Sequence, residues 1–304
     1  MQLAITLVAP DPAVLPAAQE RVELVLPDAG GQVRASRLLG PGALDLEIAS
    51  DLTLSVAEVV RALREELDRA LEGLAVDLAV QPSFGRRKRL FLADMDSTII
   101  GCECLDELAD FAGVKTQVAA ITERAMRGEI DFDGALTERV AMLKGLPVSA
   151  LQQCYDERVR LNPGARTVVQ TLRANGARCV LVSGGFTFFT ERVAAAAGFH
   201  QQRANRFVER GDVLTGKVET PILGREAKLQ TLREEAQALE INLAAACVIG
   251  DGANDLAMIE AAGLGVAYRA KPVVAAQADA RIDHADLTAL LYFQGYGADA
   301  FVSS

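Results

Sequence analysis

The chain has 304 residues, half of them hydrophobic and about a quarter charged. That is an ordinary globular composition, but longer than one core usually holds, so it implies two domains or one domain with an insertion. The 31 basic against 41 acidic residues leave a net charge of −10, which argues against nucleic acid, whose phosphates are bound through Lys and Arg. No apolar run reaches the ~18 residues of a membrane span. The N-terminal MQLAITLVAPDPAV lacks the basic segment and long apolar stretch of a signal peptide. Five cysteines without a CxxC pair imply reduced thiols and a cytoplasmic location. Cys154, Cys179 and Cys247 read as small buried hydrophobes. Cys102 and Cys104 flank Glu103, but the only two histidines, His200 and His284, are far away in sequence, which argues against zinc.

In chain order, QLAITLVA alternates as a strand does, and the stretch from Ala13 to Val25 can hold a helix. VRASRLLG and ALDLEIAS form a hairpin pair across GPG. VAEVVRALREELDRAL is an amphipathic helix with Val56, Val59, Val60, Leu63 and Leu67 on one face, and AVDLAVQP is a further strand. The order β-α-β-β-α-β over residues 1–82 is that of a ferredoxin-like α+β domain. It resembles regulatory ligand-binding modules of the ACT type. A dimerisation or packing role fits equally, which leaves a homodimer open. The polar link PSFGRRKR (82–89) separates this domain from the rest and implies that residues 1–80 are dispensable for chemistry.

From residue 88 onward the pattern becomes α/β. RLFLAD, RCVLVSGG, ACVIGDG and LGVAY read as strands. ARTVVQTLRANG, FFTERVAAAAG, REAKLQTLREEAQAL and ANDLAMIEAAG read as helices ending near Gly. This alternation predicts a doubly wound, mostly parallel, Rossmann-like sheet, with ligands at the carboxyl ends of its strands. Residues from about 105 to 161 contain no convincing strand. They read as helices (LDELADFAG, KTQVAAITERAMRG, DFDGALTERVAMLKG, PVSALQQCYDERV) inserted after the first strand as a cap. NRFVERGDVLTGKVE (205–219) reads as a hairpin outside the main sheet.

The first of these strands ends in two carboxylates, Asp94 and Asp96, which would repel each other unless a cation lies among them. Asp251 and Asp255, in GDGAND, add carboxylate at another strand end. Either motif alone reads as a polar turn or a helix cap. Together, at neighbouring ends of one sheet, they point to Mg²⁺, which prefers hard oxygen ligands and keeps water and phosphate among them. VSGGF places Ser183 and Gly184 between a strand and a helix, where N–H groups and a hydroxyl suit a phosphate oxygen. Lys228 opens another helix and could add a point charge, although alone it reads as a surface lysine.

DMDST, VSGGF, the lysine of REAKLQ and GDGAND resemble, in order and spacing, the four motifs of the haloacid dehalogenase superfamily of phosphotransferases. DMDSTIIGCECLDELA, IDFDGALTERVAMLKGLP, NPGARTVVQTLRANG and AYRAKPVVAAQADARI narrow the resemblance to the members acting on phosphoserine, over roughly Lys88 to Leu291. Met95 stands where an aromatic is common. The resemblance implies that Asp94 is the nucleophile and that Asp96 is first acid and then base. It implies that Mg²⁺ is held by Asp94, Asp251 and the carbonyl of Asp96, with Asp255 supporting them. Ser183, Gly184, Lys228 and Asn254 would then hold phosphate. Glu103 and Arg139 would bind the ammonium and carboxylate of phosphoserine, with Phe132 packing over it. Arg139 alone reads as an exposed helix charge. The alternative is a phosphatase of the same fold acting on another small phosphorylated amino acid or amino alcohol.

Overall fold

The computed structural model describes residues 1–51, 54–126 and 129–302. The N-terminal elements are β1 (Gln2–Val8), α1 (Leu15–Val25), β2 (Gly31–Gly40), β3 (Ala43–Ser50), α2 (Val56–Ala70) and β4 (Asp77–Pro82). The strands lie antiparallel in the order β2-β3-β1-β4, the ferredoxin-like arrangement. Helix α2 starts in a capping box between Ser55 and Glu58, which satisfies two of its open N–H groups. Of the five apolar residues expected on one face, Val59, Leu63 and Leu67 enter the core, whereas Val56 is exposed.

After β5 (Leu90–Ala93) come four helices: α3 (Cys104–Phe111), α4 (Lys115–Met126), α5 (Phe132–Ala141) and α6 (Val148–Arg158). The Arg127 and Gly128 expected to close the second of these lie outside the described residues. Then follow α7 (Ala165–Ala174), β6 (Arg178–Phe186), α8 (Thr187–Ala197), β7 (Gln201–Asn205), β8 (Phe207–Arg210), β9 (Val213–Val218) and α9 (Arg225–Ala238). The chain ends with β10 (Ala246–Gly250), α10 (Leu256–Ala261), β11 (Leu264–Tyr268), α11 (Pro272–Gln277), β12 (Ala280–Ile282) and α12 (Ala289–Phe293). β7, β12, α11 and α12 were not read from the sequence. Among the described residues no helix is long and apolar enough to cross a membrane.

β12-β11-β10-β5-β6-β7 are parallel neighbours. The chain builds outward from β5 to β7 and then returns to β10 on the other side. The ends of β5 and β10 therefore flank the topological switch point, where open α/β sheets bind ligands. Side chains alternate between the faces. Leu90, Leu92, Val180 and Val248 pack against Leu232 and Met258 on one side, and Phe91, Leu181 and Ile249 pack against Val168, Phe189 and Leu290 on the other. Cys154, Cys179 and Cys247 are fully buried, and burial pushes each thiol up to about 12. The β8–β9 hairpin lies outside this sheet but docks on the cap, where the Leu214 N–H donates to the Leu146 carbonyl and the Leu214 carbonyl accepts the Gly145 N–H, next to the Pro147–Val213 bridge.

The polar link does not isolate the N-terminal unit. β4 meets β12 at the Ala79–Ala280 bridge, so the ten strands other than β8 and β9 form one sheet. Arg86, from the link itself, is only 10% exposed. It donates to both oxygens of buried Asp45 at 2.8 Å, to Thr6 Oγ1 at 2.7 Å and to the Phe293 carbonyl. Asp77 accepts the backbone N–H groups of Asp283, His284 and Ala285. Asp45→Ala would leave the guanidinium buried and unpaired. It is expected to cost about 3–5 kcal/mol, read as a lower denaturation midpoint. A chain beginning at Ser83 should keep the strand-end carboxylates but melt at a clearly lower temperature. An unchanged midpoint in both variants would show that this junction carries no stability.

Candidate active site

β5 is completely buried and ends at Asp94, whose N–H donates to the Ile249 carbonyl of β10. The next residues, Met95–Ile99, make a wide helical turn in which Ser97 has φ 55°. The turn brings Asp96 back under the end of β6. Asp96 Oδ1 accepts the Cys104 N–H at 2.9 Å and Oδ2 accepts the Ser183 hydroxyl at 3.2 Å. Thr98, also in the turn, donates to Asp251 Oδ1 at 3.0 Å. Thr98 is fully buried and is a positioning residue that the sequence reading missed; its neighbour on the chain is no guide to a partner 153 positions away.

Lys228 is not a surface lysine. It is 1% exposed and bridges Asp94 Oδ1 at 2.8 Å and Asp255 Oδ1 at 2.7 Å. Burial disfavours its charge, but Asp255 and Asp94 more than offset this and hold the ammonium above its ordinary value. Asp255 spends its other oxygen on the Gly252 N–H, so it fixes the lysine and the loop. A side chain at Gly250 would strike Asp255 at 2.5 Å, which is why a glycine ends β10.

The ladder between β6 and β7 breaks between Val182–Arg203 and Phe186–Asn205. Ser183, Gly184 and Gly185 therefore bulge out of register just ahead of α8. Gly185 donates to Ser183 Oγ at 2.9 Å, and a Cβ on it would lie 2.9 Å from Asp96 Oδ2. Asn205, buried and not anticipated, clamps the bulge by donating to the Gly184 and Leu223 carbonyls and accepting the Leu223 N–H.

All ten residues expected to act on substrate or metal belong to this region, and eight of them line one cavity of about 500 Å³: Asp94, Asp96, Glu103, Arg139, Ser183, Gly184, Asp251 and Asn254. Lys228 and Asp255 lie beneath it. From the cap, Glu103 accepts the Ser97 hydroxyl at 2.7 Å. Arg139 is partly buried, and among the described residues no carboxylate lies within ion-pair distance of it; its Nε donates to the Ala135 carbonyl of its own helix. Burial lowers its pKa, with Asp106, Glu103 and Asp96 opposing from across the cavity. Phe132 reaches the wall, and a Cβ on Gly184 would meet its ring at 3.1 Å.

Burial pushes the Asp96 carboxyl up to about 6, with Glu103 adding to it. Burial does the same to Asp251, up to about 6. Burial and the neighbouring Asp255 hold Asp94 well above its usual range against the pull of Lys228. Oxygens of Asp94, Asp251 and Asp255 come within 4.8 Å of one another. So many desolvated carboxylates around one ammonium suit a hard divalent cation, and the residues fit Mg²⁺. Because these carboxyls titrate higher in the fold than in the open chain, they stabilise the cation-free protein most at low pH. That contribution is lost as pH rises through about 6, and bound cation offsets the loss. The stabilisation gained on adding Mg²⁺, read as a rise in melting temperature, should be small near pH 5 and grow through about pH 6–7, reaching about 2.7 kcal/mol at a hundredfold excess over Kd. A pH-independent rise would place the cation elsewhere.

The haloacid dehalogenase-like hydrolase family profile matches residues 91–260. A phosphoserine phosphatase of a Polaromonas species is 46% identical over 224 residues, covering 72% of this chain and 95% of that one. Among solved structures, a HAD-family hydrolase of Salmonella enterica serovar Typhi superposes with a TM-score of 0.82 at 31% identity, covering 96% of this chain and 98% of that one. A phospho-aspartyl intermediate analogue of phosphoserine phosphatase gives 0.63 at 36% identity, covering 68% and 99%.

Proposed function

This chain belongs to the haloacid dehalogenase-like hydrolases and, within them, to the phosphoserine phosphatases, and we propose that it hydrolyses O-phospho-L-serine through a phosphoryl group carried on Asp94, with Mg²⁺ as cofactor. The observation that carries the substrate reading is Arg139, a guanidinium drawn out of water opposite Glu103, with no carboxylate among the described residues paired to it. A cation so placed favours an anionic ligand. Carboxylate to Arg139 and ammonium to Glu103 is what an amino acid offers once its phosphate rests on the floor of the cavity.

Phosphoryl transfer depends mainly on alignment and charge neutralisation. Ser183, Gly184 and Asn254, which line the cavity above Asp94, orient the phosphate. Lys228 reduces the repulsion between Asp94 and the phosphate as the carboxylate attacks. Asp96, with a pKa raised to about 6, can hold the proton that the seryl oxygen needs on leaving, and then take one from the water that opens the aspartyl phosphate. Asp94 and Asp251, with the Asp96 carbonyl, would hold Mg²⁺, which supplies positive charge to the phosphate oxygens. The reading makes the enzyme a cytoplasmic supplier of serine; the α+β unit at its N-terminus then serves as a packing and pairing element or as an ACT-type regulatory module.

Arg139→Ala and Glu103→Gln test the substrate reading. Each should lower kcat/KM for phosphoserine by about 2–5 kcal/mol, roughly 30-fold to a few thousandfold, and leave an aryl phosphate within a few-fold. Equal losses on both substrates would assign these residues to the phosphoryl chemistry. If Arg139→Ala spared phosphoserine while Glu103→Gln did not, the ligand would be an amino-alcohol phosphate, which has no carboxylate.

A further inference from the structure

Two of the five thiols, Cys102 and Cys104, flank Glu103. Glu103 is extended, with φ −95° and ψ 105°, so the side chains on either side of it emerge in the same direction. The two thiols perturb each other, Cys104 lowering the pKa of Cys102 and Cys102 raising that of Cys104. Two extended residues span at most about 6.6–7.2 Å, so the Cα atoms lie near the upper end of the roughly 4.4–6.8 Å range of disulfides. Cys102 is partly exposed, with Sγ 3.8 Å from the Arg158 carbonyl, and Cys104 is buried. The backbone around the pair, rather than either thiol, leads into the site. The Cys104 N–H holds Asp96 Oδ1, Glu103 holds the Ser97 hydroxyl, and the Cys102 carbonyl accepts the Ser97 N–H at 3.3 Å.

We propose that Cys102 and Cys104 are an oxidative modification site, where a peroxide converts the pair to a disulfide that unseats Glu103 and reversibly slows turnover. The inference rests on the role given above to Glu103. The more exposed Cys102 sulfur attacks the peroxide oxygen, the O–O bond breaks, and Cys102 becomes a sulfenic acid as one water leaves. The Cys104 sulfur then attacks the sulfenic sulfur, the S–O bond breaks, and the Cys104 proton departs with it as a second water. Two electrons pass from the thiols to the peroxide, and a dithiol reductant returns them. The exposure of Cys102 against the burial of Cys104 favours this order. Drawing the sulfurs to bond length must turn the Glu103 backbone and pull the Cys104 N–H from Asp96. Displacements of this size in a site that works by alignment cost roughly ten- to a hundredfold in rate.

The test treats the full-length protein with stoichiometric hydrogen peroxide, then measures turnover, free thiols after denaturation, and peptide masses. The proposal expects five thiols to fall to three, one peptide holding both Cys102 and Cys104 to lose two hydrogens, and turnover to drop about tenfold or more and return with dithiothreitol. Cys102→Ser should keep basal turnover and resist peroxide; Cys102→Ala serves as a second variant should the serine perturb folding. Inactivation that persists in both variants, a bridge from Cys102 to Cys154, or five thiols retained in inactivated enzyme would each overturn it. The thiol count and peptide mass do not depend on the substrate. A disulfide that forms while phosphoserine and aryl phosphate turnover both stay unchanged would overturn the link to Glu103, whereas failure of the phosphoserine reading would appear in the untreated enzyme.

Discussion

Asp94→Asn is expected to leave a folded protein whose phosphoserine turnover has fallen by on the order of 10⁴-fold or more. The amide keeps the shape of the carboxylate but has no lone pair suited to attack phosphorus and cannot carry the phosphoryl group. Surrounding groups cannot replace it. Asp96 is committed to the Cys104 N–H and Ser183, Asp251 to Thr98, and Asp255 to Lys228 and Gly252. The fold should survive, because substitution removes a charge that burial already disfavours while Lys228 keeps Asp255 at 2.7 Å. Phosphate release and a thermal melt check both halves. A variant that melts near the parent and retains turnover within about tenfold would assign the nucleophile to another residue.

Asp96→Asn should divide the reaction by leaving group. Phosphoserine departs as a poor alkoxide and needs a proton in the first step, so its turnover should fall by about 10²–10⁴-fold, the usual worth of a positioned acid. An aryl phosphate leaves without help. With it, the variant should still transfer the phosphoryl group to Asp94 and then stall, because no base activates water. The expected trace is a rapid burst of phenol, close to one equivalent per site, followed by a slow steady rate. Equal slowing of both steps with no burst, in protein that still binds Mg²⁺, would mean that Asp96 serves mainly to shape the turn from Met95 to Ile99.

Both expectations start from features visible in the linear sequence. A strand buried on both faces appears as an unbroken apolar run, and a carboxylate at its end stands out against it. Asp94, Asp251, Ser183 and the helical insertion were legible because each is encoded within about fifteen neighbouring residues by period, punctuation or motif. The same local coding made the β-α-β-β-α-β order readable, along with the burial of Cys154, Cys179 and Cys247.

Tertiary structure alone decided what each charge meets. Lys228 looks like any helix-opening lysine until folding seals it between Asp94 and Asp255. Arg86 looks like part of a solvated link until Asp45 and the Phe293 carbonyl enclose it and the two sheets become one. The bulge at Ser183–Gly185 depends on β7, whose QQRAN lacks the apolar alternation of a strand. The clamp by Asn205 and the docking of the β8–β9 hairpin on the cap have no periodic signature either. Local pattern reports which residues leave water. Which opposite charge compensates a buried one is set by strands brought together from far along the chain, and the desolvation that raises Asp96 and Asp251 arises only when they meet.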